Sequence, residues 1–193
     1  MSEIKTYPNY KLDLELISSR KAFRRQYKFN AQDAEIAEQQ ISEMKDIGIV
    51  ETADLADFNS PLFLVSKKDG SKRLVVDLRL INALIKPQLV SLKIIPDMLN
   101  DILSPKPKYL NVCDLRNGYW QIKVAKKSRH LTSFTSPVTG QRLQFTRCPF
   151  GLNNSPAAML HILTTIFVGK GQTDNIWVYM DDIICGGSSW GQN

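Results

Sequence analysis

Two histidines and three cysteines in 193 residues leave little of the side-chain chemistry that most nucleophilic or transition-metal sites use. His130 and His161 are too few and too far apart for a His-based metal site. Cys113, Cys148 and Cys185 are odd in number, isolated, and without the CxxC spacing of a zinc or redox pair, so a reduced intracellular setting is expected, cytoplasmic and particle-associated or nuclear. No apolar run is long enough to span a bilayer, and Met1 to Tyr10 lack the apolar core of a leader peptide, so neither a membrane partner nor secretion is expected. Internal repeats are lacking, and low complexity is confined to Gly186-Gly187-Ser188-Ser189.

What is present is an ordinary core and an excess of positive charge. A 43% hydrophobic composition supports one globular domain or two small lobes, and a net charge of +6 favours a polyanionic partner such as nucleic acid. Residues 1–30 read as a basic arm, with Arg20, Lys21, Arg24, Arg25 and Lys28 interleaved by Phe23, Tyr27 and Phe29. These aromatics either stack on bases or dock on the domain. Asn30 and Asp33 resemble a helix cap, and Ala37, Ile41 and Met44 follow at helical spacing before Gly48. From Asn59 the period becomes two: Leu62 to Val65, a Lys67-Lys68-Asp69-Gly70 turn, then Arg73 to Leu78 predict a hairpin with a cationic tip. Pro96 opens a short helix, stopped by Pro105 and Pro107.

Lys108 to Leu115 read as a strand that sets Leu110, Val112 and Asp114 on one face, so that Asp114 continues an apolar stripe and calls for a cation. A further strand with Ile122 and Val124, a hairpin of 131–136 with 141–147, and a helix opened by Ser155-Pro156 and ended at Gly169-Lys170-Gly171 follow. His161, on that helix, is expected to pack or face solvent. The last feature is Trp177 to Cys185, two short apolar strands with Asp181 and Asp182 at the bend. An acidic turn facing solvent is one reading of that pair. The other is a divalent metal, because adjacent carboxylates resist joint ionisation without a cation. The intervening helix lets the two strand segments lie side by side, so Asp114 can join the pair. Mg²⁺ takes only one or two protein carboxylates beside water and phosphate oxygens, which suits so spare a cluster.

The order of these motifs resembles the reverse transcriptases of gypsy-like LTR retrotransposons and their retroviral relatives. The resemblance runs from about Ile47 to Cys185. It rests on Ser60-Pro61 with Val65 to Gly70, Arg73 to Arg79 with Asn82, Asp114 to Tyr119, Pro149 to Leu152 with Ser155-Pro156-Ala157, and Tyr179 to Asp182. It implies an α+β right-hand polymerase fold of fingers and palm, with an antiparallel palm sheet packed on helices. Residues 31–107 would be fingers-like and 108–193 palm-like, and the thumb and later segments are expected to be absent. The implied activity is RNA-directed DNA synthesis from a deoxynucleoside triphosphate on a primed RNA or DNA template, with two Mg²⁺ ions, or Mn²⁺ in their place. The alternative is an inactive remnant that binds nucleic acid or serves a structural role.

By the same resemblance Asp114, Asp181 and Asp182 are catalytic metal ligands, Asp182 in support, and the Leu115 carbonyl adds a ligand. Lys67 and Arg73 grip the triphosphate, Tyr119 lies under the sugar, Phe150 and Gly151 line the nucleotide pocket, and Tyr179 and Met180 stand beside the primer terminus. Cys148 replaces a Leu common before Pro-Phe-Gly, and Met159-Leu160 replace a common Phe-Gln pair. The segment from Gly186 onward is expected to be a truncated or spliced end.

Overall fold

A computed structural model of the chain describes residues 4–54, 57–90, 93–167 and 175–188. Its elements in chain order begin with β1 (Lys11–Leu12), α1 (Ala31–Asp46), β2 (Val50–Thr52), β3 (Leu62–Ser66), β4 (Lys72–Val76), α2 (Arg79–Asn82) and α3 (Ile95–Leu103). They continue with β5 (Tyr109–Asp114), β6 (Lys123–Val124), β7 (Phe134–Thr135), β8 (Arg142–Phe145), α4 (Ser155–Phe167), β9 (Ile176–Tyr179) and β10 (Asp182–Gly187). Two compact units result, Met1–Pro87 with Tyr119–Ser155, and Gln88–Gly118 with Pro156–Asn193. The reason is strand pairing: β1 joins β6, β2 joins β8, and β5 joins β10, so each unit recruits chain from two separated segments.

In the first unit local chemistry forms the elements that the sequence predicts. The Asn30 side chain accepts the Asp33 N–H at 2.8 Å, capping α1, and Ala37, Ile41 and Met44 are its buried stripe. Past α1, Gly48 takes the left-handed φ of +70° that a residue with a side chain avoids. Strands β3 and β4 pair antiparallel from Leu62↔Val76 to Ser66↔Lys72, closed by the 67–71 loop with Gly70 at φ +81°. The strand ends at Val76, short of the expected Leu78, because Asp77 turns the chain and Arg79 to Asn82 form a helical turn. The 131–136 strand likewise shrinks to Phe134–Thr135, since Lys126–Thr132 coil into a 3₁₀ helix. Gly118–Gln121 form another 3₁₀ turn, so that only Lys123–Val124 remain of the strand expected there.

The N-terminal arm is irregular, as its composition suggests, but it is knitted onto the first unit. Leu12 is fully buried, Leu14 and Ala22 nearly so, and the Gln26 side-chain amide exchanges two hydrogen bonds of 2.8 Å with the Leu62 backbone, imitating a strand partner. Its cations are partly spent on Asp57 and Asp77. Phe23 is exposed beneath the Arg142 guanidinium, 5.5 Å from the ring centroid.

The second unit is an antiparallel sheet in the order β5-β10-β9 with α3 and α4. Ile183 is buried, as are Met98 and Ile102 of α3 and Ile162 and Leu163 of α4. The opposite sheet face is open, with Val112 68% exposed. The apolar stripe expected to bury Asp114 therefore meets solvent. Gly186 and Gly187 form the last pairs of β10, opposite Leu110 and Tyr109. A Cβ on Gly186 would lie 3.1 Å from the Trp177 ring, so the indole occupies the room a side chain would need. The expected end of α4 at Gly169-Lys170-Gly171 lies outside the described residues, as do Ser189 to Asn193.

Candidate functional site

Strand register brings the sequence-distant carboxylates together. In the second unit Asp182 stands directly opposite Asp114 on one side and Tyr179 on the other, so all three share the open sheet face. Val112, Ile184 and Trp177 form the next row of that face. Met180 and Asp181 are the two-residue loop between β9 and β10. Met180 holds φ +56°, a conformation that two-residue hairpins impose on the first loop residue and that usually selects glycine. Asp181 is half-buried, while Asp114 and Asp182 are exposed. After Asp114, Leu115 accepts the Gly118 N–H at 3.1 Å, and Asn117 at φ +54° tightens the turn. Met159 packs against that turn, its Cε 3.0 Å from where a Gly118 Cβ would lie.

Like charges directly opposite on neighbouring strands repel. Among the described residues none of Asp114, Asp181 and Asp182 has an ion-pair partner. Nor do three His, Cys, Asp or Glu side chains among them converge closely enough to hold a metal ion alone. The donor set is hard carboxylate oxygen on an open face. That fits a cation which draws part of its coordination from water and a phosphate, and does not fit a closed structural site.

The other predicted residues gather in the first unit. The Arg73 guanidinium lies over the Phe150 ring at 5.5 Å, and Phe150 meets Tyr119 edge to face at 5.6 Å and Trp120 at 5.7 Å. Gly151 takes φ +89°, and Asn82 clamps its loop by donating to the Gly151 carbonyl at 2.8 Å and accepting the Asn153 N–H at 3.0 Å. Lys67 sits in the exposed tip of the β3–β4 hairpin. Cys148, just before Pro149-Phe150-Gly151, is fully buried against the Ser155 hydroxyl, and burial pushes its thiol up to about 12, so it is inert filling.

Sequence reasoning gave Asp77 and Arg79 no role, and the structure shows a built network around them. The Asp77 side chain, 4% exposed, accepts Arg79 Nε at 2.8 Å and Nη2 at 2.6 Å and the Tyr27 hydroxyl at 2.7 Å. The Arg79 fork holds this carboxyl well below the usual range, with Tyr27 adding to the effect. The available signal was a lone Asp ending an apolar strand two residues before an Arg. A carboxylate with a depressed folded pKa stabilises at neutral pH and loses that contribution as pH falls through the acid range. Asp77→Asn is therefore expected to cost about 2 kcal/mol at neutral pH, with the deficit shrinking below about pH 4. Urea denaturation at both ends of that range checks it; a pH-independent deficit would show that the charge is not the source.

Residues 65–192 match the family described as reverse transcriptase (RNA-dependent DNA polymerase). The chain belongs to this family. As a reverse transcriptase chain it is 32% identical over 186 residues to the Retrovirus-related Pol polyprotein from transposon 412 of Drosophila melanogaster, a match covering 93% of the chain and 15% of that relative. With the gypsy transposon Pol polyprotein of the same fly it shares 35% identity over 134 residues, 66% of the chain and 12% of the relative. The prototype foamy virus protease–reverse transcriptase superposes with a TM-score of 0.81 at 25% identity, covering 96% of this chain and 24% of that one. This reverse transcriptase chain thus has a polymerase fold of that type and spans a small part of its relatives' length. No helix among the described residues is long and apolar enough to cross a membrane.

Proposed function

We propose that this chain is the part of an RNA-directed DNA polymerase that carries the metal-binding carboxylates and the nucleotide-binding surface. The observation that supports this most is the register pair Asp114↔Asp182 beside the Met180-Asp181 loop, an anionic cluster on an open face. In this reading Asp114, Asp181 and the Leu115 carbonyl hold two Mg²⁺ ions, or Mn²⁺ in their place, and Asp182 supports them. The metal, when bound, activates the primer 3′-hydroxyl and stabilises the leaving pyrophosphate. The chain's own groups orient the reactants. Tyr179 and Met180 border the primer end, Arg73 and Lys67 neutralise the triphosphate, and Tyr119 packs under the sugar, steadied by Phe150. Gly151 leaves backbone accessible where the nucleotide approaches. The hairpin β3–β4 then acts as fingers and the β5-β10-β9 sheet as palm.

Primer extension with deoxynucleotides on an RNA template tests the reading. It should be run on this chain and on a version extended by the segment that follows the matched region in the transposon 412 polyprotein. Magnesium-dependent product from either preparation supports polymerase function. Template binding without product from both would favour a nucleic-acid-binding remnant. Lys67→Ala should raise the KM for deoxynucleotide roughly tenfold while leaving template affinity nearly unchanged, because a flexible hairpin-tip cation grips phosphate as a point charge. Equal losses in both measurements would argue against its triphosphate role.

A further inference from the structure

Two strands make up the whole β3–β4 sheet, and so small a hairpin keeps its shape in water only when something braces its outer edges. Here the braces are glutamine side chains. A primary amide carries a donor and an acceptor side by side, as a peptide group does, so it can stand in for a neighbouring strand. Gln26 does this for β3 at Leu62. Gln40 of α1 does it for β4, donating from Nε2 to the Lys72 carbonyl at 2.9 Å and accepting the Leu74 N–H at 2.9 Å. Ala37 and Met44, one turn to either side of Gln40, are buried, which anchors the helix at the level of the amide.

The two Gln40 bonds fall on either side of Arg73. Peptide groups along a strand face its two edges alternately, so Lys72 and Leu74 face the Gln40 amide while Arg73 is turned to its register partner Val65. Side chains alternate between the sheet faces in the same way, which puts Lys72 and Arg73 on opposite faces. The Lys72 ammonium pairs with Asp33 in the first turn of α1, whereas the Arg73 guanidinium lies over the Phe150 ring. One helix thus sorts two adjacent cations, neutralising the first and aiming the second. A one-residue slip of a strand exchanges its faces and would bring Lys72 to the Phe150 side; the Gln40 amide, matched to Lys72 and Leu74, opposes it.

We infer that Gln40 is a positioning residue for nucleotide binding, holding β4 so that the Arg73 guanidinium stays over Phe150, where a triphosphate meets it. The inference rests on the reading of Arg73 as a triphosphate grip. Gln40 itself touches no reactant and acts through the backbone on both sides of Arg73.

Two readouts keep the parts separable. In the NMR spectrum of the chain the ring current of Phe150 shifts the side-chain protons of Arg73, and Phe150→Leu marks their unshifted position. Gln40→Met keeps the side-chain length but removes both bonds, so it should move the Arg73 resonances toward that position. Gln26→Met removes the matching brace from Leu62, at the end of the hairpin away from its tip, and should leave them in place. Titration with dATP gives the second readout. Gln40→Met should weaken binding about fivefold, the size of one or two lost neutral hydrogen bonds, and should add nothing in an Arg73→Ala background. Arg73 resonances unmoved by Gln40→Met, or moved equally by Gln26→Met, would overturn the positioning role, as would a further loss of affinity on top of Arg73→Ala. Wild-type affinity in Arg73→Ala alone would instead sink the triphosphate reading, while the resonances still decide whether Gln40 holds Arg73 in place.

Discussion

Asp181→Ala is expected to lower magnesium-dependent primer extension on the order of a thousandfold, with Asp114→Ala equally damaging. The expectation follows from how few groups the open face offers. Asp114 has Asp182 directly across from it, Asp181 occupies the loop beside them, and none has a basic side chain to offset it among the described residues. Removing either proposed direct ligand leaves too little charge to fix two ions against a phosphate. A second readout is independent of turnover. In metal-free buffer Asp182→Asn should raise the thermal midpoint slightly, because relieving one opposed like-charge pair is worth roughly 0.2–1 kcal/mol. Added Mg²⁺ should then stabilise the variant less than wild type. Extension that persisted in Asp181→Ala would remove the metal assignment, and a lowered midpoint in Asp182→Asn would mean that the pair does not repel.

The largest expected loss of stability lies at Phe134→Ala. Phe134 is fully buried in β7 and tilts against Phe145 of β8 with ring centroids 5.2 Å apart. Truncation to alanine removes the transfer term and opens a cavity, together about 3–5 kcal/mol. That is a large part of the roughly 5–15 kcal/mol that holds a domain folded. The consequence reaches the site through the chain itself, since β8 runs into Cys148 and the Phe150-Gly151 loop. Denaturant midpoints check the value, and Phe134→Leu should recover most of it. A loss below about 1 kcal/mol in the alanine variant would show that the neighbours close over the gap.

The elements legible in the sequence are those whose cause is local. Asn30 capping α1, Asp69-Gly70 turning the β3–β4 hairpin, Ser155-Pro156 opening α4 and the tight hairpin that carries Asp181 in its loop and Asp182 at the start of β10 each depend on a few adjacent residues. The elements that stayed hidden depend on partners far along the chain. β1 and β6 are two residues each and exist because they pair with one another. The Asp77 network needs Tyr27, which no local pattern connects to it. Exposure was misjudged for β5 because an apolar stripe predicts which residues share a face, not whether anything covers it. The site was legible as a set of residue types in order; that Asp182 meets Asp114 residue for residue, and that Arg73 rests on Phe150, required strand register and loop conformation.

The two-segment construction of each unit also fixes when the chain can fold during its own synthesis. Leu12 waits for Val124, Val50 for Phe145, and Asp114 for Asp182. Translation at roughly 5–20 residues per second leaves β5 without β10 for several seconds, with its backbone N–H and C=O groups on that side unpaired. Nascent chains stalled before residue 182 therefore carry the acidic strand as an unpaired edge, so chaperone engagement should peak in that interval and end once β10 emerges.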